Sequence, residues 1–99
     1  MTLGVMREYI MYYVYIIYSN NLKSKYIGYS DNIKDRVEAH QKGRSQYTKK
    51  AKDWELVYYE AFIDKTDALI EERFLKSGKG YDRIKYLLEN YFRQRGEVA

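Results

Sequence analysis

The sequence predicts an α+β domain: a small three-stranded antiparallel sheet flanked by helices, in the order β-β-α-β-α-α. Three observations carry this reading. Two runs rich in tyrosine, valine and isoleucine sit either side of an Asn-Asn turn, and a third such run follows later. Between and after them, apolar residues recur at helical spacing. The chain has 99 residues, enough for one core and too few for two.

The first strand is expected over Met11 to Ser19 and the second around Tyr26-Ile27-Gly28-Tyr29. Branched and aromatic residues suit a pleated, buried surface, and Asn20-Asn21 marks the hairpin between the two. Gly28 inside a strand points to a bulge or to another group approaching the backbone closely. Ser30-Asp31 can cap a helix from about Asn32 to Lys42, with Gly43 as its stop. On that helix Ile33, Arg36, Val37 and His40 share one face, so apolar and functional groups point the same way. Trp54 to Ile63 reads as the third strand. Thr66 then opens a helix through Lys76, with Asp67 near its positive N-terminus. Ser77-Gly78-Lys79-Gly80 is expected to break it, and Tyr81 to about Phe92 to form a last amphipathic helix. Residues 1–10 and 93–99 are expected to be tails around a domain spanning 11–92. A three-stranded sheet cannot bury itself, so the helices must supply a second layer.

Composition narrows the chemistry. Hydrophobic residues are 45% of the chain and charged residues 32%, the balance of a folded protein. The chain holds no cysteine and one histidine, which excludes disulfide-linked partners, thiolate metal sites and multi-histidine zinc sites. Any metal must be held mainly by carboxylate and water, which favours magnesium or manganese. The longest apolar run, Tyr9 to Tyr18, is far short of the ~20 residues that a membrane span needs, so no membrane partner is expected and a cytoplasmic, soluble protein is. The net charge is +4, and Lys42 to Lys52 (KGRSQYTKKAK) holds five basic residues with no acid. Such a run is either a solvated loop or a phosphate-contacting one. In the second case Lys42, Arg44, Lys49, Lys50 and Lys52 grip the backbone and Tyr47 stacks on a base or sugar.

Two helices carry polar groups where packing alone would not place them. Glu72 projects between Ala68, Leu69 and Leu75, and a carboxylate there needs a cationic partner. Arg36 and His40 raise the same question on the earlier helix. A partly buried Glu72–Arg36 ion pair joining two helices is the plain structural answer, and spacing does not separate it from a functional one.

These residues resemble the GIY-YIG nuclease family, in particular its small stand-alone members. Tyr13-Val14-Tyr15 lies where that family carries its GIY triplet, and Tyr26-Ile27-Gly28 is the YIG triplet unchanged. Arg36, eight residues on, is similar in position to the family's arginine, and His40 follows one turn later. Ala68-Leu69, Glu72 and Leu75-Lys76 resemble the helix bearing the metal-binding glutamate, and Phe74 to Gly80 is similar to the stretch that follows it. The likeness runs from about Met11 to Leu88. It departs at Tyr13, which replaces a glycine, and at Tyr29, where some relatives carry lysine.

The resemblance implies metal-dependent hydrolysis of phosphodiester bonds in nucleic acid, with DNA as the expected substrate and one magnesium or manganese ion. By the same resemblance, Glu72 holds the metal and Arg36 neutralises charge in the transition state. Tyr15 and Tyr26 position the attacking water, and His40 relays a proton or orients a tyrosine. The alternative is a nucleic-acid-binding module that keeps the fold without turnover. A purely structural domain is a third reading, and it gives no reason for Arg36, His40 and Glu72 to occur together.

Overall fold

A computed structural model describes residues 9–96. Residues 1–8 and 97–99, which hold most of the expected N-terminal tail and the last three residues of the expected C-terminal one, lie outside the described residues. The elements are β1 (Tyr12–Ser19), β2 (Ser24–Ser30), α1 (Ile33–Gln41), β3 (Glu55–Phe62), α2 (Lys65–Leu75), α3 (Gly78–Leu87) and α4 (Glu89–Gln94). The strands form one antiparallel sheet in the order β2-β1-β3.

β1 is the central strand, and its alternation feeds two cores. Val14, Ile16 and Tyr18 face Ala68 and Leu75 of α2, Ile84 of α3, and Leu88 and Phe92 at the chain's end. Tyr15 and Ile17 face the other way, onto Ala51 and Trp54, with Ile33 and Val37 of α1 closing that side. α1 and α2 therefore cover opposite faces of the sheet. Each of the large apolar side chains buried here stabilises the fold by roughly 1.5–3 kcal/mol. A strand buried on both faces reads as an unbroken apolar run, which is why Val14 to Tyr18 shows no polar alternation. The pairing of β1 with β3 shifts between Ile16, opposite Tyr58, and Ile17, opposite Leu56. The extra residue, Val57, packs with Tyr58 against the first core, and Leu56 returns to the second.

Element boundaries differ from the sequence expectation in instructive places. The cap of α1 is Asn32, one residue after the expected pair: its side chain accepts the Asp35 N–H at 3.2 Å, and Ser30 is spent on the Asn32 backbone instead. α2 starts earlier because the Asp64 carboxylate accepts from the Thr66 and Asp67 N–H groups. The Ser77-Gly78-Lys79-Gly80 segment breaks the helix only at Ser77. That side chain caps a new helix by accepting from Gly80 N–H, so the glycines form the first turn of α3. The expected last helix is divided at Leu88, where a backbone near φ −107° and ψ 9° separates α3 from α4. Ile84, Leu88 and Phe92 follow at i, i+4, i+8 and are all buried, so the bend keeps one stripe on the core.

One polar cluster lies away from the α1 face. Tyr58 and Glu60 of β3 meet Glu71 of α2, with Arg83 of α3 near them. One Glu60 carboxylate oxygen is buried without a hydrogen-bond partner. Burial, then the Glu60 carboxylate beside it, pushes the Glu71 carboxyl up to about 7.

Candidate active site

Four of the five residues expected at the site converge on the α1 face of the sheet. Tyr15 points there from β1 and Tyr26 from β2, and α1 lies across them with Arg36 and His40 one turn apart. The Tyr15 hydroxyl oxygen is 2.8 Å from His40 Nε2. The His40 ring stands 4.8 Å from the Tyr26 ring and 5.8 Å from the Tyr15 ring. The Arg36 guanidinium lies close enough to both phenol hydroxyls to be stabilised by them, Tyr15 first.

Gly28 makes this arrangement possible. It sits directly opposite Tyr15 in the β1–β2 ladder, and the phenol of Tyr15 crosses its Cα. A Cβ added at Gly28 would land on the Tyr15 hydroxyl and its ring. The strand glycine therefore marks a close approach, one of the two readings its position allowed.

Burial decides what each group can do. Tyr15 and His40 are both 0% exposed, Tyr26 is half-buried and Arg36 is exposed. Burial raises the Tyr15 phenol to about 12, against the opposing pull of Arg36. Burial, with the Arg36 cation second, lowers His40 to about 4. At neutral pH the pair is thus a neutral phenol bonded to a neutral imidazole, with a permanent cation beside it.

Glu72 comes from the opposite face, where α2 packs. Its carboxylate is near enough to contribute to raising the phenols of both Tyr15 and Tyr29, after larger causes in each. Among the described residues its ion pair is with Lys76, at 3.3 Å, and none joins it to Arg36. The inter-helix Glu72–Arg36 pair considered from sequence is thereby replaced by an i,i+4 pair within α2. Glu72 side-chain exposure is 23%, which leaves its carboxylate open to solvent on one side. Among the described residues no three histidine or acidic side chains group together as a ready-made metal cage. One partly exposed carboxylate fits a hydrated divalent ion, which needs few protein ligands.

The basic segment after α1 has two sides. Lys42, Arg44, Tyr47, Lys49, Lys50 and Lys52 are all exposed, Tyr47 at 82%. Ser45, Thr48 and Ala51 turn inward. Thr48 Oγ1 is 2.6 Å from His40 Nδ1, and the Thr48 carbonyl accepts the Trp54 indole N–H at 2.8 Å. A line of hydrogen bonds thus runs from Trp54 through Thr48 and His40 to Tyr15. Thr48 and Trp54 are the residues that sequence reasoning missed. No periodicity links a threonine in a polar loop to a helix eight residues earlier, and a tryptophan before a strand reads as core.

A cleft of about 260 Å³ lies elsewhere, at the Tyr18 end of β1, lined by Tyr18, Asn20, Asp53, Glu55, Tyr91 and Arg95. Its acidic groups already have partners: Asp53 holds Ser19 and the Asn21 N–H, and Glu55 pairs with Arg95. None of the expected site residues lines it.

A three-stranded sheet flanked by helices thus brings a paired phenol and imidazole together with an arginine on one face, with the Glu72 carboxylate carried by the helix on the other. Residues 11–85 match the family described as GIY-YIG catalytic domain, and the chain belongs to this nuclease family. Its named relatives are small. A UPF0213 protein of Pediococcus acidilactici is 34% identical over 80% of this chain and 83% of its own length. Others, from Oceanobacillus iheyensis and Staphylococcus haemolyticus, are 31% and 33% identical, over 77% and 79% of this chain and 88% and 95% of theirs. These names state no activity. No solved structure matches the chain.

Proposed function

We propose that this chain is a metal-dependent endonuclease that hydrolyses phosphodiester bonds in DNA, selecting substrate by structure rather than base sequence. The observation that carries this reading is the buried Tyr15–His40 bond with an exposed arginine set against the same phenol. Stability alone gives little reason to build such a group, because each buried polar atom must be paired to avoid a cost of about 1–3 kcal/mol.

In the proposed reaction water adds to phosphorus and one P–O ester bond breaks. Arg36 is exposed and permanently cationic, so it meets the charge growing on the non-bridging oxygens. Tyr26 is the phenol that solvent reaches, and it orients the attacking water. Tyr15 lies too deep to touch bulk water, and its bond to the neutral His40 holds both rings behind Tyr26. His40, lowered to about 4, is too weak a base to keep a proton at pH 7, so it orients the phenol, and the proton lost by the water passes to solvent at the exposed side of Tyr26. Glu72 would hold the divalent ion that this family generally uses, which would supply Lewis-acid polarisation of the phosphate and screening of the leaving oxygen. The exposed lysines and arginine of the 42–52 loop, with Tyr47, contact the DNA backbone; contacts of that kind position a duplex without reading bases. This reading places the protein with DNA in the cytoplasm.

The test is cleavage of branched, nicked, flapped and single-stranded DNA in magnesium or manganese. Arg36→Ala is expected to slow cutting by roughly 10²–10³-fold. Glu72→Ala is expected to keep DNA binding and lose metal-dependent cleavage. A Glu72→Ala protein that cuts as fast as its parent in magnesium removes the proposed site. The pairing of Glu72 with Lys76 favours a second reading, a binding module without turnover. DNA binding with no cleavage in either metal would select it.

A further inference from the structure

We propose that Thr48 is a positioning residue for this reaction: its hydroxyl oxygen accepts the His40 Nδ1–H, which fixes the imidazole as the tautomer whose Nε2 receives the Tyr15 hydroxyl proton. The proposal rests on the nuclease reading for its effect on rate, and on the hydrogen bonds alone for the tautomer.

The assignment follows from the partners of the two ring nitrogens. A neutral imidazole has one N–H and one lone pair, and both His40 nitrogens are bonded, Nε2 to Tyr15 and Nδ1 to Thr48. The nearby Arg36 guanidinium has only donors to offer, so it cannot take the phenol hydrogen. The Tyr15 hydrogen must then go elsewhere. Tyr15 is 0% exposed, and His40 Nε2 is the acceptor it reaches among the described residues. Of the two buried hydroxyls that meet the ring, the Tyr15 phenol is the stronger donor and the Thr48 alkyl hydroxyl the better acceptor, so Nε2 carries the lone pair and Nδ1 the hydrogen. Thr48 Oγ1, 2.6 Å from Nδ1, is where that hydrogen ends.

Thr48 itself is held on several sides. It is 1% exposed, its N–H donates to the Ser45 carbonyl, and its carbonyl accepts from both Ala51 N–H and the Trp54 indole. This rigidity suits a residue whose task is to aim another. It also joins the proposed DNA-contacting loop to the Tyr15–His40 pair, because Thr48 lies between Tyr47 and Lys49 on that loop.

His40 is the single histidine of the chain, so its ring nitrogens are read from one set of signals. Long-range proton–nitrogen correlation on ¹⁵N-labelled protein at pH 7 is expected to show an Nδ1–H, Nε2-lone-pair ring. Thr48→Val keeps the shape and removes the acceptor; it is expected to lose the single-tautomer pattern. Its kcat on the best DNA substrate is expected to fall by about 10–100-fold, the usual loss for a group orienting an imidazole, with KM unchanged. Thr48→Ser is expected to restore both.

An Nε2–H ring in the wild-type protein overturns the proposal whatever the activity. So does a folded Thr48→Val protein with the wild-type ring pattern or the wild-type kcat. If the parent cuts no DNA, the nuclease reading fails by itself and the spectra still decide the tautomer. If Thr48→Val does not fold, the wild-type and Thr48→Ser spectra carry the decision.

Discussion

At the scale of single residues, the site is a set of close fits with little room for exchange. Gly28 leaves the space through which the Tyr15 phenol reaches His40, so Gly28→Ala forces the ring off its partner. Overpacking of this kind costs about 1–3 kcal/mol, and urea denaturation is expected to show a loss in that range together with loss of cleavage. His40 gives a second, independent handle. Its folded pKa of about 4 lies below the ordinary value of 6.5, so between those values the unfolded chain binds a proton that the folded one refuses. Its contribution to stability is therefore complete above pH 6.5, falls as the pH is lowered toward 4, and is constant below. Over that window it amounts to roughly 3 kcal/mol. NMR titration of the one histidine should show no protonation down to pH 5. A midpoint near 6.5 would mean that the ring is not buried as described.

At the scale of elements, the two helices that matter most for the site are fastened to opposite faces of β1. α1 is short, at nine residues, and rests on Ile33, Val37 and His40. α2 supplies Glu72 from the other face through Ala68 and Leu75. The seam between α2 and β3 holds an evident misfit, where Glu60 and Glu71 meet and a Glu60 oxygen has no partner. A glutamine at 60 removes one of two like charges and offers Glu71 an amide donor. Glu60→Gln is expected to stabilise the protein by about 1 kcal/mol at pH 8, raising the melting temperature by about 4–8 °C in a domain of this size. A fall in melting temperature would show that the charge at 60 is required by its neighbours Tyr58 and Arg83 rather than merely tolerated.

At the scale of the whole molecule, charge and chemistry share the loop between α1 and β3. Its outer side carries Lys42, Arg44, Lys49, Lys50 and Lys52, and its inner side carries Thr48 on His40. Replacing both Lys49 and Lys50 by alanine is expected to weaken DNA binding evenly across sequences. It should also flatten the dependence of log K on log salt by roughly 1 for each phosphate that is no longer neutralised. An unchanged salt slope would place the DNA on another surface. Among the described residues no helix is long and apolar enough to cross a membrane.

The fold was legible because its signals are local. Strand composition, the Asn20-Asn21 turn and the helical spacing of Ile33, Val37 and His40 act over a few residues, and the sheet and the element order followed from them. The family motif likewise lies in short segments, Tyr26-Ile27-Gly28 above all, and those segments alone single out Tyr15, Arg36, His40 and Glu72. Tertiary structure alone decided which side chains touch across elements: that Tyr15 is sealed from water while Tyr26 is not, that no ion pair joins Glu72 to Arg36 among the described residues, and that Thr48 stands behind His40. Hydrogen bonds between residues 25 and 8 positions apart depend on how β1, α1 and the loop are packed against one another, and packing distances leave no period in the sequence.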